Sequence, residues 1–141
     1  MSAKSKSAVI RKLTGVAQTD LPLDVIEEIV DRLAWRLIVI DGAEVVDKET
    51  FLEQCALVFG LPEWFGMNWD ALEECLSELE LDTPGLVVLW SSWSEMARAK
   101  PEDFAVAVDI LRIAARTWAE DDVKGGVLLC GSGPELQALD L

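Results

Sequence analysis

Three apolar runs set between amphipathic stretches constrain this chain more than any other feature. Trp35 to Ile40 reads WRLIVI, Leu86 to Trp90 reads LVVLW and Val127 to Cys130 reads VLLC. Each has strand length and almost no polar residue, so each reads as a buried strand. The stretches between them carry helical stripes. Behind Pro22, a proline suited to a first helical turn, Ile26, Ile29, Val30 and Leu33 recur at i, i+3, i+4 and i+7, and the helix ends near Ala34. Asp47 or Thr50 caps a second helix through Phe51, Cys55 and Val58, which stops at Gly60. Phe104, Ala107, Val108, Leu111, Ala115 and Trp118 mark the most regular helix. Strands joined by helical crossovers pair in parallel. The expected class is α/β: a small, mainly three-stranded parallel sheet at about 36 to 40, 86 to 90 and 127 to 130, packed against helices.

The other segments are less sharply marked. Ser7 to Leu13 reads as a short edge strand, Leu61 to Met67 as a loop, and Ser91 to Pro101 as a break holding a short helix. KGG, residues 124 to 126, reads as a turn before the last strand. At 141 residues the chain fits one domain with a sizeable core. The division expected is a basic segment over 1–20 and a single α/β domain over 21–141.

Charge narrows the function. The chain has 12 basic residues, 26 acidic ones and no histidine, for a formal net charge of −14. Lys4, Lys6, Arg11 and Lys12 fall in the first 12 residues, which hold no acid, so the remainder carries 8 basic against 26 acidic residues, a net of −18. Phosphate is repelled by such a surface, which argues against nucleic acid as a direct ligand. A basic protein partner is attracted. No apolar run has signal-peptide length and none approaches the roughly 20 residues of a membrane span, so a cytoplasmic location without membrane contact is expected. Cys55, Cys75 and Cys130 are odd in number and widely spaced, with no CxxC, and read as buried free thiols.

The acid is concentrated in LPEWFGMNWDALEECLSELE, residues 61 to 80. Asn68 suits an N-cap, so the helix starts at Trp69 and is expected to run to TPG at 83 to 85. At about 100° per residue, Glu73, Ser77, Asp70, Glu74 and Glu78 fall in one arc, while Ala71, Cys75, Leu79, Leu72, Leu76 and Trp69 fill the opposite one. Asp70, Glu73, Glu74 and Ser77 stand at i, i+3, i+4 and i+7, with no Lys or Arg among them. Like charges at this spacing destabilise a helix by roughly 0.2 to 0.5 kcal/mol per pair. A purely structural surface more often mixes signs. Trp64 and Phe65 precede the helix in a loop hinged at Gly66; Phe65 and Trp69 read as core, and Trp64 as an exposed aromatic beside the acidic patch. That pairing suits a protein-binding surface.

The run LPEWFGMNWDALEEC, continuing to Leu76, resembles the barstar family of intracellular inhibitors of a secreted microbial ribonuclease. The pattern is P-E-aromatic-aromatic-G-x-N-x-D-A-L-x-(D/E)-C-L, and a looser likeness runs from IDG at Gly42 through LVVLW to VLLC. Residues 1–34 stand as an N-terminal, partly helical extension relative to the shortest members. The resemblance implies a parallel three-stranded sheet on helices. The lack of histidine, of a nucleophile with a base and of a cofactor loop adds the expectation of no catalysis, no cofactor and no metal. The resemblance also implies a partner that is a basic, secreted-type microbial ribonuclease, whose active site is plugged by the acidic helix and the loop before it. The expected binding residues are Trp64, Gly66, Asn68, Asp70, Glu73, Glu74 and Ser77, of which the resemblance itself carries over Trp64, Asp70 and Glu74, with carboxylates standing in for substrate phosphates. Two positions depart from the family: Glu74 is one methylene longer than the usual aspartate, and Glu73 replaces an aromatic of the founding inhibitor.

Rival readings belong to other classes. Paired carboxylates hydrolyse glycosides when they flank a cleft at about 5 to 9.5 Å, but here they share one convex helix face in a chain without histidine. A Ca²⁺ or Mg²⁺ site on Asp70, Glu73 and Glu74 lacks the characteristic loop. CGSGPEL, residues 130 to 136, lacks the lysine of a phosphate loop and reads as a solvated tail. A binding module that uses the same face for a basic partner other than a ribonuclease is the remaining alternative.

Overall fold

The computed structural model describes residues 3–134. In chain order the elements are α1 (Ala3–Arg11), β1 (Val16–Thr19), α2 (Leu23–Arg32), β2 (Arg36–Asp41), α3 (Lys48–Val58), α4 (Trp69–Ser77), β3 (Gly85–Ser91), α5 (Ser94–Ala99), α6 (Pro101–Glu120) and β4 (Lys124–Cys130), with a short 3-10 turn at Gly42–Glu44. The sheet has four strands in the order β1-β4-β3-β2, one more than the sequence implied. Every pairing is parallel, with Ile38 opposite Val88, Val88 opposite Val127, and Val127 opposite Val16.

The central strands explain the layering. On β3, Leu86 to Trp90 are all fully buried. Side chains of a strand alternate between faces, so such a run needs cover on both. Val88 and Trp90 face one core with Ile38, Ile40, Val127 and Leu129, closed by α3 to α6. Val87, Leu89 and Leu128 face a second, smaller core with Ile10, Leu13, Ile26, Ile29 and Val30. Helices α1 and α2 therefore cover a sheet face that would otherwise be bare apolar surface. The fold is a three-layer α/β sandwich.

Four local expectations are corrected. Ser7 to Leu13 is not a strand: α1 is helical through Arg11. Ile10 and Leu13, three apart, both pack into the second core, while Val9 faces outward at 36% exposure. Helical spacing outweighs the β-branched pair. The unforeseen strand β1, VAQT, follows at Val16 and pairs with β4 along the sheet edge. KGG is not a turn but the start of β4. Gly125 has φ +106°, and a Cβ there would lie 2.1 Å from the Leu86 carbonyl oxygen, so this glycine admits close approach of strands. The chain reverses just earlier, at Asp122, with φ 64°. Finally, α4 ends at Ser77, short of TPG, with Glu78 as its C-cap and no basic residue in its last turn. Glu78, Glu80 and Asp82 would meet the negative end of a longer helix dipole. Leu79 and Leu81 still pack on the main core from the loop.

The remaining elements sit close to their expected positions. Asp47 caps α3 in a capping box: its carboxylate accepts from the Thr50 amide at 2.9 Å, and the Thr50 hydroxyl accepts from the Asp47 amide at 3.1 Å. Pro101 occupies the first turn of α6. Cys55 and Cys75 are buried free thiols, but Cys130 is only partly buried, its thiol donating to the Leu21 carbonyl at 3.3 Å. The tail reading of CGSGPEL runs past residue 134, outside the described residues.

Candidate functional site

The loop before α4 is shaped by one buried ring. The Phe65 amide donates to the Pro62 carbonyl at 2.9 Å, folding the chain back on itself, and Phe65 turns into the core at 8% exposure. Its neighbour Trp64 is driven outward and stands 74% exposed. Met67 follows with φ 51° and 40% exposure, a second exposed apolar side chain of the loop that the sequence reading missed. Asn68 joins loop to helix. Its Oδ1 accepts from the Ala71 amide at 2.8 Å, and its Nδ2 donates to the Gly66 carbonyl at 3.2 Å. A Cβ on Gly66 would lie 3.0 Å from that Nδ2, so glycine leaves room for the cap. Gly66 and Asn68 thus fix the direction in which the loop enters α4.

The buried side of α4 anchors the helix. Leu72, Cys75 and Leu76 lie in the main core, and the Trp118 indole donates to the Leu76 carbonyl at 2.9 Å, tying α4 to α6. Trp69 is half-buried, its ring centroid 5.9 Å from that of Phe51, with the Lys48 ammonium 5.4 Å from its own ring. The outward side carries Asp70, Glu74 and Ser77 in solvent, and Glu73 partly covered. All four line a shallow groove of about 300 Å³ whose other wall is Ile113, Ala114 and Thr117 of α6. The structure thus brings together four of the five residues of the arc, leaving Glu78, the C-cap, outside the groove. The Ser77 hydroxyl donates to the Glu74 carbonyl at 2.8 Å, which leaves its oxygen open to a donor.

The groove is electrostatically one-sided. Among the described residues the ion pairs are Arg32 with Glu28 and Arg112 with Asp109, and neither touches α4. The field is felt from beneath, where burial, and then the carboxylates of Glu74 and Glu78, push the Cys75 thiol above its ordinary value. Among the described residues no group of three or more His, Cys, Asp or Glu side chains is placed to hold a metal ion. A row of uncompensated carboxylates can receive cationic side chains, and the exposed indole of the loop before α4 can take an apolar contact. The α6 wall could not be read from the sequence, because the contact of α4 with α6 arises only on folding.

A family model described as Barstar (barnase inhibitor) matches residues 35–130. The chain belongs to the Barstar family. No curated protein sequence matches it. The Barstar match begins one residue before β2 and ends with β4, so it takes in α3 to α6, the loop and the acidic groove. Helix α1, strand β1 and helix α2 lie outside it. Barstar is a family of inhibitors, which gives the chain an inhibitor-like role in general terms, directed at a ribonuclease as its protein partner. No helix among the described residues is long and apolar enough to cross a membrane.

Proposed function

We propose that this Barstar-family chain inhibits a basic, secreted-type microbial ribonuclease from within the cytoplasm, without catalysis of its own, by seating the edge of α4 and the preceding loop in the enzyme's active site. One observation carries the reading: Asp70, Glu73 and Glu74 converge on one groove with no ion-pair partner among the described residues, on a helix whose preceding loop leaves an indole 74% exposed. Asp70 and Glu74 take the places of substrate phosphates against the enzyme's cations. Trp64 fills an apolar recess, and Gly66 with Asn68 sets its approach. Glu73 and Ser77 extend the acceptor row along the groove.

The test is inhibition of a panel of basic microbial ribonucleases by the recombinant chain. Charges paired at about 4 Å attract by about 4 kcal/mol at an effective dielectric near 20. Removing one partner of a buried pair costs about 3 to 5 kcal/mol, since the other is left desolvated and alone. Asp70→Ala and Glu74→Ala should therefore each raise the inhibition constant by roughly two to four orders of magnitude. Glu53→Ala, at an exposed position on α3, should change it by less than about 1 kcal/mol. Association should slow with added salt, because ions screen the attraction between a chain of net −14 and a basic enzyme. Wild-type inhibition by both α4 variants against a confirmed target would sink the proposal.

A further inference from the structure

On the far flank of α6 from the acidic groove lies a cleft of opposite character, of about 770 Å³. Arg11, Arg112, Arg116 and Lys124 line it, above a floor that includes the buried side chains of Leu13 and Val123. Four of the 12 basic residues of a strongly acidic chain are therefore gathered at one place. A single carboxylate, Asp122, shares the lining. Arg112 is paired with Asp109 at 3.4 Å, but Arg11, Arg116 and Lys124 make no ion pair among the described residues. Like charges crowded without counter-charges repel one another, and an anion in the cleft relieves that repulsion.

We propose that this cleft binds a small phosphorylated organic molecule of about mononucleotide size. Guanidinium groups recognise phosphate through paired N–H donors, and three of the four cations are arginines. The volume falls within the roughly 300 to 1,000 Å³ usual for small-molecule sites and exceeds the needs of a bare phosphate ion. The apolar floor gives an organic body something to rest on. A long polyanion is disfavoured, because any part extending beyond the cleft meets a chain whose formal net charge is −14. The site is also composite. Arg11 and Leu13 belong to the segment outside the family match, whereas Arg112, Arg116, Val123 and Lys124 lie inside it. The extension thus creates a cleft that residues 35–130 cannot form alone.

The test titrates the full chain with adenosine monophosphate, glucose 6-phosphate, inorganic phosphate and, as the uncharged control, adenosine, following amide resonances and heat. At least one of the two organic phosphates should bind one-to-one with a dissociation constant at or below about 1 mM, shifting amides of Thr14, Gly15 and Asp122 to Gly125. Adenosine should leave them unmoved, and the comparison between nucleotide and sugar phosphate identifies the body preferred. Arg11→Ala and Arg116→Ala, both at exposed positions, should keep the wild-type melting temperature yet weaken binding about tenfold or more. Absence of binding by both organic phosphates, binding of inorganic phosphate as tight as theirs, or indifference to both arginine substitutions would overturn the proposal. So would salt-sensitive self-association of the chain abolished by Arg116→Ala, which would make the acidic face of a second copy the occupant.

Discussion

The second core makes a prediction that is independent of any partner. Ile26 on α2 is fully buried in it, in the cluster that holds Val87, Leu89 and Leu128 of the central strands. Ile26→Ala removes three carbons. At about 0.8 kcal/mol per methylene the transfer cost is about 2.4 kcal/mol. A residual cavity of up to about 75 Å³, at about 24 cal/mol per Å³, adds up to about 1.8 kcal/mol if the helices cannot close in. The loss should therefore lie between about 2.4 and 4.2 kcal/mol. For a slope near 2 kcal/mol/M, the urea midpoint should fall by about 1 to 2 M with the slope unchanged. Leu72→Ala, equally buried but on the other side of the sheet, should cost a similar amount. Circular dichroism and tryptophan fluorescence should report one coincident transition in each variant, since both layers share β3 and β4. A loss below about 1 kcal/mol for Ile26→Ala beside a full loss for Leu72→Ala would refute the reasoning, as would a separate early transition. Helices α1 and α2 would then be an appendage and not a layer of the fold.

Two further outcomes are expected. Trp64→Ala should leave stability within about 0.5 kcal/mol of wild type, because the indole is 74% exposed. Against a confirmed ribonuclease it should weaken inhibition by more than about 1 kcal/mol, up to a ceiling of about 4 to 5 kcal/mol for burying the free part of a tryptophan surface. The Asp47 carboxyl is held below its ordinary value, first by the Thr50 amide and then by the Thr50 hydroxyl. Its folded value being depressed, the stabilisation is complete above the unfolded value of about 3.9 and is lost as pH falls through the folded one. Melts from about pH 2 to 6 should show a shallower acid limb in Asp47→Asn than in wild type.

The parts of the fold legible in the sequence were those fixed by local pattern. LVVLW and VLLC have no polar residue to place in solvent, so burial follows from the residues themselves, and α6 declares itself through an apolar stripe of about four turns. Strand β1 was not legible because VAQT has only four residues and earns its place by pairing with β4, a partner more than a hundred residues away. KGG misled because glycine serves turns and close strand contacts equally, and only the approach of Leu86 distinguishes them. The end of α4 was set by charge where the apolar stripe still ran on. The same division applies to the sites. The arc of Asp70, Glu73, Glu74 and Ser77 is a matter of helical spacing and could be read directly. Its wall on α6, and the basic cleft that joins Arg11 to Arg116, exist only once distant segments are packed together.

Helix α4 also shows how a surface can be locally unfavourable and still persist. Asp70, Glu74 and Glu78 stand four apart in succession, and Glu74 and Glu78 lie at the end of the helix where negative charge is least welcome. Each like-charged pair costs roughly 0.2 to 0.5 kcal/mol. Fully burying the side chains of Leu72 and Leu76 contributes about 1.5 to 3 kcal/mol each, so packing holds the arrangement with room to spare. The free chain would be more stable with a cation at position 74. Glu74→Lys replaces two repulsive i, i+4 pairs with attractive ones and places positive charge near the C-terminus of the helix, which together should raise stability by about 0.5 to 2 kcal/mol. If the acidic edge exists to meet a cationic active site, the same substitution should abolish inhibition, because it sets a lysine against the enzyme's own cations. The two effects have opposite signs, and urea titration with inhibition kinetics on one preparation reads both. Loss of stability in Glu74→Lys would show that the carboxylate has a structural partner, and retained inhibition would show that the α4 edge is ordinary solvated surface.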